Sequence, residues 1–361
     1  MSQFQDKRIL VTGACGTVGS ELVRQLLLSN DFHIKELVGI DSNESALFFI
    51  DQQYLEDTRA NFFVTDIKDK SELINKSKGI DIIFHAAALK HVALCEKSPE
   101  QAVQTNINGI QNIISAANSN NIKTVIFTSS DKAVNPTNVM GTSKLMGERL
   151  MTAANSSKLE GGPIFASTRF GNVLGSSGSV IPIFHNQIAK GGPVTLTDSE
   201  MTRFIMSVEE SVQLVLNSAK YAKGGEVFVT KMPVIRIEDL AIAMIEVLAP
   251  IYGIDPSDIV IKEIGTKPGE KLYEELMSHE ELRRTIELKN YFSVLPAFRG
   301  IYHDIEYNYT ETINTQVTKP YTSEYQQPLN VDEIKKFLQK YNLLKSPLEE
   351  TERRYWPGDK K

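Results

Sequence analysis

The chain has 361 residues, 41% hydrophobic and 23% charged, with a formal net charge of −6. That apolar content suffices for one large α/β unit or for two lobes sharing a cleft, while the acidic balance argues against nucleic acid as the main partner and leaves an anionic small molecule open. With only Cys15 and Cys95 there is no disulfide framework and no paired metal-ligand spacing, so no metal is expected and a reducing compartment is. In chain order, Arg8–Thr12 (RILVT) reads as a buried strand and 18–28 as the helix after it. Further strands are predicted at 36–40, 61–65, 80–85 and 124–129, each separated from the next by a helix-length stretch such as 99–118. This alternation predicts an α/β fold with a doubly wound, mostly parallel sheet and helices on both faces. Beyond about Gly171 the pattern loosens, broken by Pro182, Pro193, Pro233, Pro256 and Pro268 among short strands and helices such as Ile237–Leu248. From residue 318 onward a tail holds one helical piece, 330–341, and ends in a polar stretch. Residues 1–7 are polar, and no signal peptide or long apolar span is visible, so a cytoplasmic protein with no membrane partner is expected.

Residues 11–19 (VTGACGTVG) set Gly13, Gly16 and Gly19 between the first strand and the first helix. Glycine there allows a tight turn, a close approach to a pyrophosphate and packing of the helix on the sheet, and the helix start at Thr17 and Val18 offers N–H donors to phosphate. Asp41, with Ser42 beside it, ends the second strand, and no Arg or Lys follows in 42–45. A carboxylate there accepts from a ribose diol and repels a 2′-phosphate, which favours NAD and leaves NADP as the alternative; a solvated strand-end acid is the plainer reading. Asp66 and Ile67 follow the third strand, where adenine would lie. Ala86, Ala87 and Ala88 follow the fourth, where a backbone must pass close to the cofactor. The arrangement is Rossmann-like. It divides into a dinucleotide-binding domain at 1–171, to which later segments return, a smaller C-terminal, mainly substrate-binding lobe at 172–317, and an extension at 318–361 with no assigned role.

Four further stretches are more specific: 85–91 (HAAALKH), 129–136 (SSDKAVNP), 169–175 (RFGNVLG) and 267–271 (KPGEK). With them the sequence resembles the extended short-chain dehydrogenase/reductase family, and within it the UDP-N-acetylglucosamine 4,6-dehydratases, over roughly residues 7–300. Several close subfamilies share these stretches. In the wider family a Ser or Thr is followed by a Tyr-x-x-x-Lys segment, whose Tyr exchanges the hydroxyl proton and whose Lys holds the nicotinamide ribose. Here the matching residues 140–144 are MGTSK, with Lys144 present and Met140 in the tyrosine's position. A thioether cannot exchange a proton. The resemblance also puts Asn106 and Ser129 at the cofactor, and Lys90 and His91 at the boundary between cofactor and substrate.

Ser130, Asp131 and Lys132 follow the fifth strand at the carboxyl edge, where sites form in such sheets. A 4,6-dehydratase removes hydride from carbon 4, eliminates water across carbons 5 and 6, and returns the hydride to carbon 6. By resemblance, Asp131 is the acid for the departing hydroxyl and Lys132 the base at carbon 5. Those roles require a protonated aspartate and a neutral lysine, which burial favours and a direct ion pair opposes. Ser130, with Lys132 or a water, is the candidate for handling the carbon 4 hydroxyl. The plain reading of Asp131 and Lys132 is a surface ion pair of little energetic weight.

For the UDP-sugar substrate, the resemblance assigns Asn172 to the diphosphate, Val180 and Ile181 to a segment along the sugar nucleotide, and Thr195 and Thr197 to a strand that packs on uracil. Arg203 and Lys267 would bring positive charge to the diphosphate, and Glu270 would accept from the uridine ribose. Relatives often carry Arg where Lys267 stands, and lysine lacks the planar fork. Homo-oligomers are usual among the relatives. Two other readings remain: an NAD-dependent nucleotide-sugar 4-epimerase, which has no need of the Asp-Lys pair and normally relies on the missing tyrosine, and a silent NAD(P)-binding sensor, which Met140 motivates.

Overall fold

The computed structural model describes residues 3–156, 161–176, 179–265, 269–298 and 305–344. Its largest element grows from Arg8–Thr12 (β1), buried from Ile9 onward, as a parallel strand covered on both faces requires. Glu36–Asp41 (β2) and Ala60–Val64 (β3) add on one side; Ile82–His85 (β4), Thr124–Ser130 (β5) and Ile164–Phe170 (β6) add on the other, all parallel. The strand Val227–Thr230 continues the parallel run beside β6. Tyr291–Val294, Thr285–Leu288 and Thr312–Asn314 follow antiparallel and complete ten strands. The strand order reverses between β1 and β4, the position at which sheets of this kind bind ligands beyond the carboxyl ends of their strands. The fold is thus the Rossmann-like α/β sheet that the alternation predicts.

Helices Thr17–Leu28 (α1), Glu44–Gln53 (α2) and Lys70–Lys76 (α3) follow β1, β2 and β3. Between β4 and β5 the single helix expected at 99–118 is interrupted. After Val92–Lys97 (α4) come Pro99–Ala102 (α5), a π-helical turn at Val103–Asn108 and then Gly109–Ser119 (α6). The wide turn carries Asn106, 2% exposed, whose amide bonds both backbone groups of Leu89 and the Ser143 hydroxyl. Apolar spacing cannot reveal such a turn, because the stripe continues through it. Val139–Ser156 (α7) lies against the sheet, and Leu10, Ile83 and Phe165 meet Ile110, Ile113 and Met151 in one apolar cluster. Each such fully buried side chain contributes roughly 1.5–3 kcal/mol.

The chain forms two compact units, one from 1–170, 209–231 and 276–320, the other from 171–208, 232–275 and 321–361. All ten strands of the large sheet belong to the first. In the second, helices Val180–Ala189, Ile237–Leu248 and Val331–Lys340 bury Phe184, Met244 and Leu338 in a cluster of their own. The described tail, 321–344, is therefore not an appended extension: Ile334 and Leu338 are core residues of this unit. The stretch 276–320 belongs to the first unit, although the sequence reading keeps most of it in the second lobe.

Candidate active site

Gly13 has φ +69°, and a Cβ there would lie 2.7 Å from the backbone of Ala87. On Gly19 it would lie 1.9 Å from the Gly13 carbonyl oxygen. The first glycine thus lets the loop after β1 pass the loop after β4, and the third lets α1 close on the turn. Gly16 is the N-cap of α1 and supplies no side-chain cap, so the helix start at Thr17 and Val18 is left to an anion. Asp41 accepts from Cys15 N at 3.0 Å and Asn43 N at 2.9 Å, which holds its carboxylate beside the glycine turn. Burial and then the Asp41 charge push the Cys15 thiol up to about 12, so it is not a nucleophile. Ser42 is exposed, Asp66 is half-buried and paired with Lys68 at 3.2 Å, and Ile67 is a core residue packed on Gly109. A cradle without room for side chains, an uncapped helix start and a fixed carboxylate fit a dinucleotide.

A buried polar strip crosses the switch point. Thr12 Oγ1 lies 2.7 Å from His85 Nδ1, Ala87 N donates to the same hydroxyl at 3.3 Å, and Thr128 Oγ1 donates to the His85 carbonyl at 3.2 Å. The His85 ring stacks on Phe127, and Lys144 Nζ lies 4.9 Å from the Phe127 ring centroid while donating to the Thr128 carbonyl at 2.9 Å. Burial, then the Lys144 charge, pull His85 down to about 3, so the ring is neutral. Burial pulls Lys144 down to about 8, against Glu148 and Cys95, which raise it. His85, Thr12 and Thr128 were given no role from sequence. The available signal was a histidine ending an otherwise apolar strand (IIFH) at the switch point. Asn106 and Ser129 are buried in this region, while Lys90 and His91 are exposed.

Asp131 is fully buried at the start of a short 3-10 turn after β5. Its Oδ1 accepts from the Ser130 hydroxyl at 2.6 Å, from Lys132 N at 2.8 Å and from Lys132 Nζ at 3.0 Å. Its Oδ2 is buried with no hydrogen-bond partner among the described residues. The aspartate of the pair is buried, unlike that of a solvated surface bridge, and the two side chains form a direct ion pair at 3.0 Å. Gly141 explains how α7 approaches so closely, since a Cβ there would lie 2.3 Å from the Lys132 carbonyl oxygen. Met140, one residue earlier, is 3% exposed and packs with Cys95 and Ala102. The position of the family's tyrosine is thus filled by apolar packing.

In the second unit, Asn172 lies on the short strand Asn172–Val173 and is half-buried. Val180 begins Val180–Ala189 at the margin of the core, and Ile181 is inside it. Thr195 is bracketed by the Gln187 amide, with bonds of 3.0 and 2.7 Å, and Thr197 lies beside Met201. Arg203 is the residue expected to bring positive charge to the diphosphate. It is 5% exposed and donates to the carbonyls of Thr202, Lys271 and Leu272 at 2.7–3.1 Å, with Glu270 and Glu274 within 3.9 Å. A guanidinium so engaged anchors the 269–275 segment. Glu270 is exposed, and Lys267 lies outside the described residues.

A family model described as "Polysaccharide biosynthesis protein" matches residues 9–296. An uncharacterized membrane protein of Methanocaldococcus jannaschii is 46% identical over 341 residues, 94% of this chain and 98% of that one. No helix among the residues described here is long and apolar enough to cross a membrane. A UDP-glucose 4-epimerase of Rickettsia bellii is 38% identical over 342 residues, 93% of this chain and 96% of that one. Among solved structures, Pen from Bacillus thuringiensis matches with a TM-score of 0.86 at 37% identity, covering 95% of this chain and all of that one. Sequence identity and fold agree over nearly the full length, and the chain belongs to the polysaccharide biosynthesis protein family.

Proposed function

We propose that the protein is an NAD-dependent nucleotide-sugar 4,6-dehydratase acting on UDP-N-acetylglucosamine. One observation carries the reading: a fully buried carboxylate at the carboxyl end of β5 holds a serine hydroxyl and a lysine ammonium on one oxygen, in a chain whose tyrosine position is an apolar Met140. The glycine turn, Asp41 and Lys144 would hold NAD, which supplies the acceptor for the carbon 4 hydride and gives it back at carbon 6. Asp41 repels a 2′-phosphate, which favours NAD over NADP.

The proton count of this reaction closes with two carriers. Carbon 4 oxidation releases the hydroxyl proton, which Ser130 passes to Asp131 along their 2.6 Å bond. Lys132 takes the carbon 5 proton, made acidic by the new ketone, while Asp131 protonates the departing carbon 6 hydroxyl. Lys132 then returns a proton to carbon 5. In this cycle Asp131 receives its proton from the substrate and need not be held protonated beforehand, which removes half of the conflict with the ion pair. The other half, a neutral Lys132 at the start, requires the pair to lose one proton, and the lysine is 27% exposed to solvent. The buried Oδ2 is an acceptor that the described protein leaves unused, as a substrate hydroxyl would need.

The test is a proton NMR time course with UDP-N-acetylglucosamine and NAD in deuterated water. The expected product is a 4-keto-6-deoxy sugar with deuterium at carbon 5 and a methyl group that keeps the hydrogen from carbon 4. Its ring couplings distinguish retention from inversion at carbon 5. A carbon 4 epimer without water loss would support the second reading, a 4-epimerase, which the name of the rickettsial relative favours. Unchanged sugar with NAD bound would overturn both. A Ser130→Ala protein that oxidises carbon 4 at the normal rate would remove the serine relay alone.

A further inference from the structure

Arg169, in β6, heads the fully buried side chains by size and is 1% exposed. All its N–H groups are used: Nε and Nη2 donate to the Glu148 carboxylate at 3.0 and 2.6 Å, Nη1 and Nη2 to Glu281 at 3.1 Å each, and Nη1 also to the Leu276 carbonyl at 2.8 Å. Glu281 in turn accepts from Ser278 N at 2.9 Å. The dehydration chemistry above uses none of these groups. Stability alone is a weak reason for such a network, because apolar side chains of similar volume often serve as well. Its position suggests another reason. Glu148 stands four residues after Lys144 on α7, so the two share a helix face, and Arg169 and Glu281 reach Glu148 from β6 and from the segment that returns after residue 276.

We propose that the buried Glu148–Arg169 pair is a positioning device for Lys144: Arg169 clamps Glu148 one turn behind the lysine and so sets that lysine's register and electrostatic surroundings, while Glu281 holds the far side of Arg169 without acting on the lysine. The role of Lys144 toward the cofactor rests on the function proposed above. The groups facing Lys144 from the elements around it are the Thr128 carbonyl of β5, His85 of β4 and Cys95 of α4, with the Asp131–Lys132 pair on the turn that packs against α7. His85 is held neutral, and burial, then Glu96, raise the Cys95 thiol so that it too is neutral. Glu148 is the charged group on the lysine's own helix face. Burial would neutralise carboxylates here; in Glu281 burial pushes upward, but the Arg169 charge and hydrogen bonds prevail and hold it at about 2. The Glu148 carboxylate, held by Arg169 at 3.0 and 2.6 Å, raises the fully buried lysine against the pull of burial and so favours the charged form that donates to a ribose hydroxyl.

The experiment is a 13Cε-lysine NMR titration of the full chain without cofactor, with the Lys144 resonance assigned by its loss in a Lys144→Arg protein. The wild type is expected to titrate at about 8. Glu148→Gln keeps the side-chain shape and one acceptor for Arg169, and its Lys144 midpoint is expected to fall by on the order of one pH unit. Glu281→Gln damages the same network from the far side and is expected to leave the midpoint unchanged. Equal midpoints in wild type and Glu148→Gln overturn the proposal, and so does an equal shift in Glu281→Gln, which indicates general loosening. If Glu148→Gln does not fold, Glu148→Asp moves the charge by one methylene, and an unmoved midpoint is equally decisive. Because the titration involves neither substrate nor NAD, its outcome and that of the dehydration assay stand or fall separately.

Discussion

Asp131 owes its chemistry to three donors converging on one oxygen and to complete burial. Replacing it with Asn keeps the shape but removes, in the proposed reaction, both the acceptor of the carbon 4 proton and the acid for carbon 6. Asp131→Asn is therefore expected to lower turnover by on the order of 10²–10⁴-fold. NAD affinity should be unchanged, because Asp41 and Lys144 are untouched; product NMR and calorimetric NAD binding check the two parts. At this scale the sequence was legible where neighbours in the chain are also neighbours in space. Ser130, Asp131 and Lys132 could be read as a group because adjacency brings them together. The complete burial of Asp131, and the engagement of Arg203 by three carbonyls, depend on side-chain direction and on segments far apart in the chain, so residue type and spacing did not show them.

At the scale of elements, the approach of α7 to the turn after β5 governs the site. Gly141 makes it possible, since a Cβ there would meet the Lys132 carbonyl oxygen at 2.3 Å. That contact is with backbone and cannot be relieved by a rotamer. Gly141→Ala is expected to cost about 1–3 kcal/mol and to displace Lys132, so the melting temperature and turnover should fall together while Asp131→Asn lowers turnover alone. The strands and α1 were legible from periodicity because burial on both faces leaves long apolar runs. The π-helical turn at Val103–Asn108 was not, because the bonds of Asn106 to Leu89 and Ser143 that it serves join residues 17 and 37 positions away.

At the scale of the whole molecule, the first unit is assembled from three stretches of chain. Arg169 ties two of them, joining α7 and β6 to Leu276 and Glu281. Arg169→Met would leave the buried Glu148 carboxylate without its counter-charge and Glu281 with Arg284 alone, at 3.5 Å. It is expected to destabilise the protein by roughly 3–5 kcal/mol, read as a lowered midpoint in urea denaturation. A wild-type midpoint would mean that the carboxylates have become protonated or hydrated without loss.

The sequence by itself determined what rests on local pattern: the alternation that makes a doubly wound sheet, the glycine turn at Gly13, Gly16 and Gly19, and the grouping of Ser130, Asp131 and Lys132. These follow from burial periodicity, from the steric demands of a tight turn and from chain adjacency, all of which one string of residues contains. Tertiary structure alone decided that residues 321–344 complete the core of the second unit, that 276–320 belongs to the first, and that Arg203 is an anchor within its unit. It also decided that His85, Glu148 and Arg169 surround or support Lys144. Those outcomes depend on which distant surfaces meet, and an amphipathic helix or a buried charge specifies that it needs a partner without specifying which one.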